Sequence, residues 1–93
     1  MSSYKLKRST SLMDESKHLL NIDYFLIEEF TIKESDKHYG IKVETKSAGK
    51  ITESCTVHDI TDDKNEALYV LRKMADYGVT AIAAKDVIED MAF

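Results

Sequence analysis

The spacing of apolar residues changes at His58. From Tyr4 to His58, short runs rich in Thr, Ile, Val, Phe and Tyr alternate with polar residues, the period of a strand. Beyond His58 the apolar positions recur about every 3.6 residues, the period of a helix. Such a chain must fold as a sheet followed by helices, and 93 residues suffice for one domain but not for two. The expectation is a single α+β domain over residues 1–93, with residues 1–4 free to remain mobile.

Four strands are expected, at about Tyr4–Leu12, Lys17–Lys33, His38–Lys46 and Lys50–His58. Connections as short as those between them allow only antiparallel neighbours, so the sheet is a meander. If Ser47-Ala48-Gly49 is a three-residue loop with Gly49 left-handed, Lys46 pairs with Lys50. Thr45, Val43, Ile41 and Tyr39 then oppose Ile51, Glu53, Cys55 and Val57. This register gathers an apolar face and sets His38 across from His58. In the second strand the pair Glu28-Glu29 interrupts the alternation, which a bulge there would accommodate. Without one, Leu26, Phe30 and Ile32 face the core and Phe25 and Ile27 fall on the second face.

The first helix carries Leu68, Leu71, Met74 and Ala75 on one stripe, with Val70 and Tyr77 beside it. Thr61, Asp62 and Asp63 can each cap its start, Asp63 and Glu66 stand at capping-box spacing, and Gly78 is a natural left-handed terminator. A shorter helix starts between Ala81 and Lys85 and carries Val87, Ile88 and Met91. The order is ββββαα, a four-stranded antiparallel meander with two C-terminal helices packed on one sheet face.

Tyr24-Phe25-Leu26-Ile27-Glu28, Tyr39-Gly40-Ile41, the capped helix and the closing Asp86-Val87-Ile88-Glu89-Asp90 together resemble a family of small Firmicutes proteins, mostly clostridial, of unknown function. The resemblance covers roughly Tyr24 to Asp90. It departs at Ala81-Ile82, where the family pattern implies a proline, and it implies no activity.

Charge and composition narrow the function classes. With 43% hydrophobic and 32% charged residues the chain is globular in character, and its net charge of -4 gives a weak negative field unsuited to nucleic acid. Lys5, Lys7 and Arg8 read as a solvated strand or arm. No stretch approaches the roughly 20 apolar residues of a bilayer span, and Met1–Thr10 lacks the apolar core of a secretion signal, so the expected location is the cytoplasm. The single Cys55 can form neither an internal disulfide nor a two-cysteine metal site, and it reads as a buried structural thiol.

Two sets of residues could carry function. His38 and His58, cross-strand neighbours about 5 Å apart in the expected register, stand near Asp36 and Asp59 in sequence and could bind zinc or a similar metal. Both also sit at strand ends, where solvated histidines are common. Phe25 and Ile27, with Tyr69 or Tyr77, form an apolar patch unless the N-terminal segment folds over it. Asp86, Glu89 and Asp90 crowd one helical turn, as either a docking surface or a solvated face.

No Gly-rich phosphate loop, Gly-x-Ser-x-Gly elbow or His-Glu-x-x-His helix occurs, so neither an enzyme nor a cofactor is expected. The reading is a non-enzymatic interaction or regulatory module acting as a homodimer or with a protein partner. The alternative is a small-ligand or metal-binding protein using His38 and His58. A third reading is an accessory subunit of a larger assembly.

Overall fold

The computed structural model describes residues 2–13, 15–30 and 37–91. Strands β1 (Ser2–Met13), β2 (Leu19–Phe30), β3 (Lys37–Ser47) and β4 (Lys50–Thr61) form one antiparallel sheet in the order β1-β2-β3-β4. Helices α1 (Lys64–Tyr77) and α2 (Ala81–Asp90) follow. This is the expected α+β meander. Within β1, Ser3 lies opposite Glu28 and Tyr4 opposite Ile27.

The β3–β4 hairpin departs from the expected register by two residues. Its loop has two residues, not three: Ala48 (φ 52°) and Gly49 (φ 80°) turn the chain while Ser47 pairs with Lys50. Positive φ at both central positions belongs to the tight hairpin turn whose twist matches that of the strands. A bulge between Thr45 and Lys46 then inserts Thr52, so Val43 faces Cys55 and Ile41 faces Val57. A shift of two keeps every side chain on its original face, so Ile41, Val43, Cys55 and Val57 share one side as expected.

A second irregularity lies between Tyr39, opposite Thr61, and Ile41, opposite Val57. Here β4 spends more residues than β3 and its backbone closes on Gly40, where an added Cβ would stand 2.4 Å from the Val57 carbonyl oxygen. The two-residue shift already breaks the expected pairing of His38 with His58, and this extra length carries the two further apart in register. The bulge considered at Glu28-Glu29 is absent, since β2 pairs in unbroken register with β3. Ile32 and the side chain of Phe30 lie outside the described residues.

One face of the sheet carries Ile22, Tyr24, Leu26, Ile41 and Val43, and they form a single buried cluster with the helices. From α1 this cluster receives Ala67, Val70, Leu71, Met74 and Ala75, and from α2 Ala81, Ala84 and Ile88. The buried stripe of α1 is thus turned slightly from the expected one. Leu68 is partly buried, and Tyr77 is 74% exposed. Small side chains at 67, 75, 81 and 84 let the helices approach the sheet, and larger residues fill the space around them.

Local chemistry sets the helix ends. The Asp63 carboxylate accepts hydrogen bonds from the amides of Asn65 (2.8 Å) and Glu66 (3.4 Å). At the other end Gly78, with φ 64°, donates its amide to Ala75 O while Val79 donates to Met74 O, the paired closure of a left-handed C-terminus. Two sheet residues then hold the inter-helix turn. The Tyr24 hydroxyl donates to Val79 O at 2.7 Å, and Ala81 N donates to the Thr45 hydroxyl at 3.0 Å.

Candidate functional site

Several cationic side chains gather where β1 meets α1. Leu6 pairs with Phe25 and Arg8 with Tyr24, which leaves Lys7 as the extra residue of a bulge. Bulges re-aim side chains, and this one places Lys7 and Arg8 together along the helix. They line a cavity of about 340 Å³ with Asn65, Leu68, Leu71 and Arg72. A second depression of about 330 Å³ adjoins it, lined by Arg8, Tyr69, Arg72, Lys73 and Asp76. Arg8 and Arg72 border both. The Lys73 ammonium lies 5.6 Å from the centre of the Tyr69 ring, and Thr10 donates its hydroxyl to Ala75 O at 3.1 Å, tying strand to helix.

Among the described residues four cations therefore line the groove with one carboxylate, Asp76, in a chain whose net charge is -4. Guanidinium groups on facing elements can hold a planar anion through two parallel hydrogen bonds each. From the sequence, Lys7 and Arg8 read as part of a solvated strand or arm, and Arg72 and Lys73 stand more than 60 residues further on. The two pairs are far apart in the chain, and nothing in the pattern of β1 announces its bulge.

The histidines do not converge. His38 Nδ1 lies 3.1 Å from Asp59 Oδ1, whereas His58 Nδ1 lies 2.5 Å from Glu29 Oε1, so each imidazole engages its own carboxylate. Among the described residues no group of three or more His, Cys, Asp or Glu side chains is placed to hold a metal ion. Asp36 lies outside the described residues. Cys55, partly buried opposite Val43, packs against the core on the face away from His58.

The second sheet face is divided. At one end the Lys42 ammonium lies 5.5 Å from the Tyr4 ring centre and 6.0 Å from that of Phe25, and Leu6 pairs with Phe25. Tyr4 and Leu6 are 52% and 55% exposed, Phe25 is partly exposed, and Ile27 is fully buried. Ile27 shares this face but shows no surface of its own, a correction to its expected place in the exposed patch. The N-terminal segment does not fold over the face, because it is the edge strand. Tyr69 and Tyr77 belong to α1 and lie apart from it.

Beside the patch the face is polar. Asp23 accepts from the Ser9 hydroxyl at 2.7 Å and faces Lys46 Nζ at 2.8 Å. Burial alone would raise its carboxyl pKa, but the hydrogen bonds from Lys46 and Ser9 and the Lys46 charge together hold it below the ordinary value. On the helix-bearing face, opposite the buried Tyr39, the Lys37 ammonium 3.2 Å from Glu28 likewise lowers that carboxyl. Asp86, Glu89 and Asp90 are exposed on α2.

A family model matches residues 3–92, from the start of β1 past the end of α2. The chain belongs to the DUF6514 family, a family of unknown function. The match takes in β1 as well as the segment from Tyr24 to Asp90 that carried the resemblance, so the groove and both sheet faces lie within the DUF6514 region. No curated protein and no solved structure matches the chain. Among the described residues no helix is long and apolar enough to cross a membrane.

Proposed function

We propose that this DUF6514 protein is a small, non-enzymatic interaction module of the bacterial cytoplasm that associates through the sheet face opposite its helices. The observation that carries the reading is the exposure of Tyr4 and Leu6 beside Phe25 on a face that neither helix covers. Exposed aromatic and aliphatic side chains in one patch are costly to keep in water and are typical of surfaces that bind protein. The partner is a second copy of the chain, since twofold homodimers are the commonest way to bury such a face. The lone cysteine suits a reducing compartment.

Sedimentation velocity over a concentration series tests the reading. The wild type should dimerise at micromolar to hundreds of micromolar concentration, and Tyr4→Ser with Leu6→Glu should give a folded monomer because both side chains lie outside the core. A wild type that stays monomeric throughout that range removes the homodimer.

A further inference from the structure

We propose that the groove between β1 and α1 is a docking site for a short peptide segment of another protein in which acidic and apolar residues adjoin. Charge complementarity selects the acidic residues. Lys7, Arg8, Arg72 and Lys73 face one carboxylate, Asp76, while the molecule as a whole is negative. Arg8 and Arg72 stand on opposite walls and border both depressions, so an extended segment can place successive carboxylates between guanidinium groups that hold them bidentately.

The apolar requirement comes from the bed. Leu68 is partly exposed in the first depression and Tyr69 is 50% exposed in the second, surfaces that favour an aliphatic side chain beside each carboxylate. A cavity of about 340 Å³ accommodates a few side chains, not a long polymer. A nucleic acid would carry its phosphates beyond the groove into the negative field of the molecule. This site is distinct from the sheet face of the proposed self-association, since its bed is formed by Leu68 and Tyr69 of α1, which packs on the other face of the sheet.

Amide chemical-shift titration of the full chain with a blocked Asp-Glu-Leu-Glu-Leu peptide tests the proposal. Saturable shifts should appear at Lys7, Arg8, Leu68 and Arg72, and binding should weaken as salt is raised. Arg8→Gln with Arg72→Gln should weaken it about tenfold. If that variant fails to fold, a peptide with lysine in place of each acidic residue provides the same contrast on the wild type and should not bind. Several results would overturn the proposal: no saturable shift, equal binding of the lysine peptide, a folded double variant that binds as the wild type does, or the same shifts produced by inorganic phosphate. Tighter binding of an oligothymidylate or of anionic vesicles would overturn it in favour of those ligands.

Discussion

Thr45, at 2% exposure in β3, accepts a hydrogen bond through its hydroxyl from the backbone amide of Ala81, the first residue of α2, at 3.0 Å. Thr80 provides no side-chain cap of its own, so the sheet supplies the cap that the helix lacks. The start of α2 is thereby coupled to the folding of β3. Thr45→Val preserves shape but leaves that amide buried and unpaired, and should cost about 1–3 kcal/mol in urea denaturation. Thr45→Ser should recover much of the loss. Faster amide exchange in α2 should accompany the valine variant.

The orientation of α1 is tested by truncation. Leu71 is fully buried, and Leu71→Ala should cost about 2–5 kcal/mol. Leu68→Ala should cost less because that side chain is partly solvated, and Tyr77→Ala should stay within about 0.5 kcal/mol. Denaturant midpoints that ranked Leu68 above Leu71 would mean that the helix is turned back toward the stripe read from periodicity.

The β3–β4 turn carries avoidable strain. Ala48 sits at φ 52°, a left-handed conformation disfavoured for alanine, and is followed by Gly49 at φ 80°. Ala48→Asn creates the dipeptide preferred in such turns and should add about 0.5–1 kcal/mol of stability. Gly49→Ala meets no neighbouring atom within 4 Å, so its loss of about 1 kcal/mol would report backbone strain alone. Thermal denaturation of the two variants should move in opposite directions.

Tyr24 makes stability dependent on alkaline pH. Burial pushes its hydroxyl pKa up to about 12 from an ordinary 10.0, because the ionised form cannot be solvated beneath the helices. The unfolded chain releases this proton first, so the contribution is fully present below pH 10 and is lost as pH rises toward the folded value. Urea midpoints should therefore fall between pH 10 and 12. Tyr24→Phe should flatten that slope while lowering stability at neutral pH, since it removes the bond to Val79 O.

Much of the fold was legible in the residues. The change of period at His58 separated sheet from helices, short connections required a meander, and Asp63 and Gly78 marked the ends of α1. These features act within a few residues of the chain, where spacing and conformational preference are sufficient. Even the mistaken β3–β4 register left Ile41, Val43, Cys55 and Val57 on the correct face, because an error of two residues restores the alternation.

Other features required the assembled chain. The bulges at Lys7, between Thr45 and Lys46, and at Gly40 depend on how two strands accommodate each other, and the last two together parted His38 from His58. Nothing local to Thr45 identifies it as the cap of a helix 36 residues later. The groove arises from the same cause. Lys7 and Arg8 on a strand and Arg72 and Lys73 on a helix carry no mutual signal in the sequence, and packing of α1 across the sheet brings their charges together. Local propensity therefore determined which elements form, while the register between strands and the docking of helices decided which side chains meet.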